Sequence, residues 1–158
     1  MRAVGLNFRD VLNVLGEYPG DPGPPGGDAA GVVGEALLSA DSMFGLAHAP
    51  LASVAAAARD LLARKPTALS FEQSSTLPIT WSTTHAAVER AALYAGNTFL
   101  VQAAAGGVGL KTVEYAHGLH TLLIGTAGRP YKHARLHETG LNASCSSRDA
   151  AALSLIHI

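Results

Sequence analysis

Cysteine is nearly missing from this sequence: one residue, Cys145, in 158. A single thiol excludes an internal disulfide and any cysteine-rich zinc site, and it fits a reducing compartment. Charge is also sparse, at 15% of residues with a formal net charge of −1. Binding to nucleic acid needs a basic surface that displaces counterions, so neither nucleic acid nor another polyanion is an expected partner. No apolar run is long enough to span a bilayer, and the N-terminus lacks the pattern of a signal peptide. A soluble, cytoplasmic protein is the expectation. The seven histidines are scattered. His133 and His137 stand four apart on an expected helix, but no further ligand completes a set, so no metal is expected.

What is present is organised in two styles. Residues 1–20 read as one helical segment, with Val4, Phe8, Val11, Leu12 and Leu15 at three- and four-residue spacing. "PGDPGPPGG" (19–27) is a loop, because proline lacks the N–H and glycine is too flexible for helix or central strand. "DAAGVVGEALL" and "SMFGLAHAPLASVAA" each offer a short strand. Ser70 and Gln73 have the spacing of a capping box, and helical or loop character continues through residue 93.

From Asn97 the pattern is cleaner. Strands are expected at 98–102, 122–126 and 142–146, with helices at 108–118 and 130–139. The first helix ends at Gly118; the second starts at Pro130 and is followed by Gly140. Strand–helix–strand–helix–strand is the first half of a doubly wound parallel sheet, an incomplete Rossmann fold in an α/β protein.

Between the first strand and helix lies "AAAGGVG". Ala104, Gly106 and Gly109 occupy the positions of a G-x-G-x-x-G fingerprint, with alanine in place of the first glycine. Small residues let the backbone approach a pyrophosphate, and the helix N-terminus offers unpaired N–H groups and partial positive charge. The alternative is a tight strand-to-helix turn without a ligand. The surroundings favour a dinucleotide. An NAD site places an acid roughly twenty residues beyond the central glycine. Here the chain reads Thr126-Ala-Gly-Arg129, with Lys132 and later Arg148 nearby. Cations without a carboxylate suit a 2′-phosphate, hence NADPH. A solvated helix start is the alternative for Arg129 and Lys132, although cations there oppose the helix dipole.

These residues carry a resemblance. "VQAAAGGVGLKTVEYA", "IGTAGRPYKHARL" and "CSSRD" are similar to the cofactor domain of zinc-independent medium-chain reductases. "AVGLNFRDVLNVLGEYPGDPGPPGGDAAGVV" resembles their catalytic domain, above all in the enoylreductase units of polyketide synthases; quinone oxidoreductases are relatives. The resemblance implies part of a GroES-like, β-rich catalytic domain over residues 1–80 and the first half of a Rossmann NADPH-binding domain over 81–150. It implies enoyl reduction of an α,β-unsaturated acyl thioester on an acyl carrier domain. A free-standing enone or quinone reductase and a non-catalytic NADPH-binding relative stand as alternatives, and a homodimer of the parent is left open.

Residue by residue, Asn7 and Asp10 match the family's N-F-x-D beside the nicotinamide, with Asn7 where zinc-dependent relatives have a ligand cysteine. Tyr18, Lys132 and Asp149 match groups implicated in protonation. Lys132 also matches a lysine that binds the 2′-phosphate in quinone oxidoreductases, so its role stays open. An aspartate at its ordinary pKa is ionised at neutral pH, and donation requires burial or a relayed proton. Thr83 matches a threonine near the nicotinamide amide, with Ser82 and Thr84 as alternatives. Gly106, Gly107, Val108 and Gly109 match the pyrophosphate turn; Thr126, Arg129, Ser147 and Arg148 complete the cofactor set. Bland roles compete: Asn7 and Asp10 as polar residues of an exposed helix face, Tyr18 as a loop anchor, Asp149 as a weak surface partner of Arg148.

The sequence departs from the family in three places. Strands that precede residue 3 in relatives are missing, "GVVGEALLSADSMFG" is short, and the chain stops after the third strand of the cofactor domain. A half sheet has an open edge and an uncovered face. The chain alone is therefore expected to be weakly folded and inactive, and its parent an active reductase. The last six residues, Leu153–Ile158, continue no period and match the translation of a transposon-end sequencing adapter (CTG TCT CTT ATA CAC ATC). They are expected to be a read-through scar and are set aside from the fold. A transcript from the source should diverge after Ala152; one that encodes the same six residues would refute this.

Overall fold

The computed structural model describes residues 1–34 and 41–149. The tail at Leu153–Ile158 and the short stretch at Glu35–Ala40 lie outside the described residues. The chain forms two compact units, Met1–Ile79 and Thr80–Ile158.

The first unit is built on an antiparallel sheet of β1 (Ala3–Gly5), β2 (Asp28–Val33), β3 (Asp41–Leu46) and β4 (Leu62–Arg64), in that order. The short helix α2 (Phe71–Ser74) follows, and its expected capping box is formed. Gln73 N–H donates to Ser70 Oγ at 3.1 Å, and Ser70 N–H donates to Gln73 Oε1 at 2.9 Å. β4 and the 3-10 turn at Arg59–Leu61 had no signal in the sequence, because three-residue elements are too short to show a period.

The N-terminus corrects the expectation of one helix over residues 1–20. Val4 lies in β1, and helix α1 covers only Phe8–Leu15. Gly16 ends it in the left-handed region (φ 70°), where glycine carries no Cβ penalty. The helix is also turned the other way. Phe8 (74%), Val11 (48%) and Leu15 (64%) are exposed, whereas Asp10 is 3% exposed. The cause is the Pro/Gly loop, whose backbone has no ladder partner and takes polar side chains instead. Asn13 Nδ2 donates to Gly23 O at 2.9 Å, an Arg9 guanidinium N–H donates to Gly26 O at 3.0 Å, and Gly26 N–H donates to Asp10 Oδ1 at 2.8 Å.

The second unit follows the sequence pattern closely. After α3 (Pro78–Arg90) come β5 (Thr98–Val101), α4 (Gly107–Gly118), β6 (Leu122–Ala127), α5 (Pro130–Glu138) and β7 (Ala143–Ser146). The strands pair in parallel in the order β5-β6-β7. The fold is α/β with a parallel sheet, as expected. Val101, Val113, Ala116, Leu123, Leu136 and Leu141 fill the core between helices and sheet. α4 lies very close to the turn before it. A Cβ on Gly109 would sit 2.5 Å from Ala103 O and 2.6 Å from Ala104 O, both rigid backbone atoms.

Gly109→Ala is therefore expected to destabilise this unit by about 1–3 kcal/mol through overpacking. Gly118→Ala, where a Cβ meets nothing within 4 Å, is the matched control. Hydrogen exchange across residues 107–118 in the full-length protein should rise for the first variant only; equal protection in both would refute the close-approach argument.

Candidate functional site

The turn between β5 and α4 is held from β6. Ala103 takes a left-handed φ of 50°; its N–H donates to Thr126 Oγ1 at 3.1 Å, and Ala104 N–H donates to Thr126 O at 2.9 Å. Thr126 is buried, so its hydroxyl serves the turn. Ala104, standing where the fingerprint has its first glycine, is wholly buried. The room for it comes from β6: a Cβ on Gly125 would lie 2.9 Å from Ala104 Cβ. The substitution in the fingerprint is thus matched by a glycine on the neighbouring strand. Gly106 caps α4 with no side-chain hydrogen bond, so the first N–H groups of the helix open outward at exposed Gly107 and Val108.

At this turn lies a cleft of about 250 Å³, lined by Ala103, Ala105, Gly106, Thr126, Ala127, Gly128, Lys132, Ser147 and Arg148. Five expected cofactor residues meet there: Gly106, Thr126, Lys132, Ser147 and Arg148. No carboxylate lines it among the described residues. Arg148 lies across Gly128, since a Cβ at 128 would stand 3.1 Å from Arg148 Nε and 3.3 Å from Ser147 Oγ. The ion pairs of the described residues use Arg9, Arg64, His85, Lys111 and Arg135, leaving Arg129, Lys132 and Arg148 out. Lys132 and Arg148, without an ion pair among the described residues and set in the cleft beside the start of α4, form an arrangement that can hold an anion.

Other expected residues fall elsewhere. Arg129 caps α5 at its N-terminus, exposed and outside the cleft lining. Gly109 packs against the Ala103 and Ala104 carbonyls. Thr83 is exposed on α3, whereas Thr84 is 1% exposed and its hydroxyl pairs with that of Thr112 at 3.1 Å. Asp149 is exposed. Ala103, Ala105, Ala127 and Gly128 were missed by sequence reasoning. The signal for Gly128 was present in "TAGR", where the acid of an NAD site would stand.

In the first unit, Asn7 and Asp10 come together with a third residue. Asn7 N–H donates to Asp10 Oδ2 at 2.7 Å, and Asn7 Nδ2 donates to Asp28 Oδ2 at 3.0 Å. Asp28 Oδ1 accepts Ile79 N–H at 2.8 Å, so a fully buried carboxylate fixes the Asn7 amide and the start of α3. Burial pushes the Asp28 carboxyl above the usual range. The Asn7 amide and the Ile79 N–H oppose this, and the Asp10 charge adds to it. Burial also pushes Asp10 up, but the N–H groups of Asn7 and Gly26 and the Arg9 guanidinium outweigh it and hold that carboxyl below its ordinary value. Asp10 is therefore a buried acceptor and not part of an exposed helix face. Asp28 had no signature in the sequence, where it reads only as the first residue of a strand. Tyr18 is half-buried in the loop after α1.

Known proteins with this pattern share both sequence and fold. The chain is 40% identical over 149 residues to erythronolide synthase EryA2 of Saccharopolyspora erythraea, covering 90% of this chain and 4% of that synthase. The enoyl reductase of CurK superposes with a TM-score of 0.83 at 29% identity, covering 97% of this chain and 52% of the other. The quinone oxidoreductase of Thermus thermophilus, also solved with NADPH, superposes with a TM-score of 0.75 at 31% identity, covering 90% and 48%. No protein-family model matches. The fold is that of the enoyl reductase and quinone oxidoreductase structures. The chain is similar in sequence to a segment of polyketide synthases and in fold to enoyl reductase and quinone oxidoreductase structures. It spans about half the length of the structures it matches and a small part of the synthase.

The two carboxylates of the first unit contribute to stability with opposite signs. Asp10 has a lower pKa folded than unfolded, so the unfolded chain binds more protons and stability rises with pH. Its contribution is complete above the ordinary aspartate value of about 3.9 and is lost as pH falls through the folded value. Asp28 runs the other way and is subtracted by comparison with a variant. Asp10→Asn should cost about 1–3 kcal/mol at neutral pH, and the gap from wild type should close on acidification. Thermal unfolding between pH 7 and pH 3 checks this; a gap of constant size would contradict it.

Proposed function

We propose that the protein reduces the double bond of an α,β-unsaturated acyl thioester with NADPH, as the enoylreductase of a polyketide synthase. The observation that carries this reading is the cleft beside α4, with Lys132 and Arg148 and no carboxylate among the described residues, taken together with the synthase relatives. On the same reading, residues 1–80 form part of the catalytic domain and 81–150 part of the cofactor domain. The substrate rides on an acyl carrier domain.

The residues of the cleft fit a 2′-phosphorylated dinucleotide. Free N–H groups at the start of α4, with Gly106 and Gly107 leaving the backbone bare, suit the pyrophosphate. Lys132 and Arg148 suit a phosphate at the end of β6, with Arg129 adding charge from the start of α5. NADPH, when bound, supplies the hydride for the β-carbon. Negative charge then develops on the thioester oxygen and needs donors or cations to stabilise it. The α-carbon needs a proton from a positioned acid. Lys132 shares the cleft with Arg148, which favours a phosphate role for it and leaves Tyr18 and Asp149 as donor candidates. The Asn7 amide, fixed by Asp28, is the polar group of the first unit best held to orient a carbonyl or carboxamide.

A quinone or enone substrate is the second reading, favoured by the similarity to the quinone oxidoreductase solved with NADPH. Turnover of crotonyl thioester against a benzoquinone by the full-length protein separates the two. For the cofactor, titration calorimetry on the full-length protein should show NADPH bound at least about tenfold more tightly than NADH, since charge-assisted bonds to a phosphate are strong. Lys132→Ala with Arg148→Ala should erase the preference and leave NADH binding close to wild type. Equal affinity for the two nucleotides in the wild type would overturn the NADPH assignment.

A further inference from the structure

We propose that His133 is a positioning residue for the cofactor cleft, tying α5 to the ends of β6 and β7 so that Lys132 and Arg148 converge on one phosphate. The inference rests on the NADPH reading above and adds a residue to which neither the motif nor the cleft lining points.

His133 is half-buried on α5, and both of its ring nitrogens are engaged. Nε2 lies 3.0 Å from Ala127 O, and Nδ1 lies 2.9 Å from Ser144 Oγ. A carbonyl oxygen can only accept, so Nε2 carries the proton and donates. Nδ1 of the neutral ring then accepts from the Ser144 hydroxyl. That hydroxyl is also 3.3 Å from His137 Nε2, which can donate into its free lone pair. The chain His137–Ser144–His133–Ala127 thus runs in one direction, an arrangement in which each bond polarises the next. Ala127 O accepts a second bond, from Ser147 N–H at 3.0 Å.

Ala127 O is therefore a node where α5, β6 and the residue after β7 meet. Three groups proposed to shape the phosphate site are chain neighbours of members of this node: Lys132 of His133, Gly128 of Ala127, Arg148 of Ser147. Leu136, wholly buried in the core, docks α5 independently. Without His133 the helix stays attached but loses the bond that sets its position along the strand end. A misplaced ammonium and guanidinium would still attract anions but would no longer meet on one phosphate.

The test is the NADPH to NADH affinity ratio of the full-length protein, measured by titration calorimetry. A purely structural role would weaken both nucleotides alike, whereas positioning lowers the ratio. His133→Phe should lower it roughly fivefold, the worth of about one hydrogen bond, with NADH binding little changed. His133→Gln, whose amide can donate to Ala127 O, should restore most of it. Ser144→Ala, which removes the group that fixes the ring tautomer and leaves the helix sequence intact, should lower it in the same sense. A wild-type ratio in both His133→Phe and Ser144→Ala, or an equal loss for both nucleotides, would overturn the role of His133 alone. A wild type that binds the two nucleotides equally would instead overturn the cofactor reading, and this inference with it.

Discussion

Where α4 meets the end of β5, two carbonyl oxygens leave no space for a side chain at position 109. That contact sets the height at which the helix begins, and so where its free N–H groups stand. The turn between them is short because Ala103 accepts a left-handed conformation and Thr126 takes up the N–H groups it exposes. A left-handed alanine costs roughly 1–2 kcal/mol. Bonds of about 1 kcal/mol each from Thr126 are of a size to offset it. The same compactness accounts for Ala104. With its side chain turned inward onto Gly125, it presents only backbone to a ligand, as a glycine would.

The other half of the cleft follows from a missing side chain. Gly128 follows β6 with nothing beyond its backbone, and the Arg148 side chain lies beside it, with Nε 3.1 Å from where a Cβ would stand. An acid there would offset part of the positive charge of Lys132 and Arg148 and would require the Arg148 side chain to shift. On the NADPH reading proposed above, cofactor preference is a matter of room as well as of charge. The room is kept by hydrogen bonds that converge on the neighbouring carbonyl of Ala127, which fix the strand end against the helix that carries Lys132.

The second unit was legible almost to the residue because its elements are local. Each strand is an apolar run, each helix has a start and a stop, and each turn has its glycine or proline. α4 began one residue before expectation, at Gly107, and β6 ended one residue after it, at Ala127. In the first unit the same logic failed for α1. Its apolar residues have helical spacing, but the helix turned its polar side inward, because Asp10, Arg9 and Asn13 satisfy a proline- and glycine-rich loop. Periodicity measures amphipathicity; it does not say which face is in demand. Asp28 was invisible for a related reason. A buried carboxylate is defined by the donors that reach it, and those come from residues 21 positions before and 51 positions after it.

Asp28 also changes how the N-F-x-D segment is understood. Asn7 and Asp10 share one acceptor–donor pair, yet they are held for different ends. The three groups that reach Asp10 are two backbone N–H groups and the guanidinium beside it, so its charge is neutralised locally and serves to fold the loop. Asp28 receives only two neutral donors while buried, and burial raises its carboxyl. A buried carboxyl that gives one oxygen to a single side-chain amide is better explained by a need to fix that amide than by stability, since an apolar pair of the same shape would be less costly to bury. What is fixed is the orientation of Asn7: its Nδ2 is given to Asp28, and its side chain faces the Asp10 N–H in the capping box that starts α1.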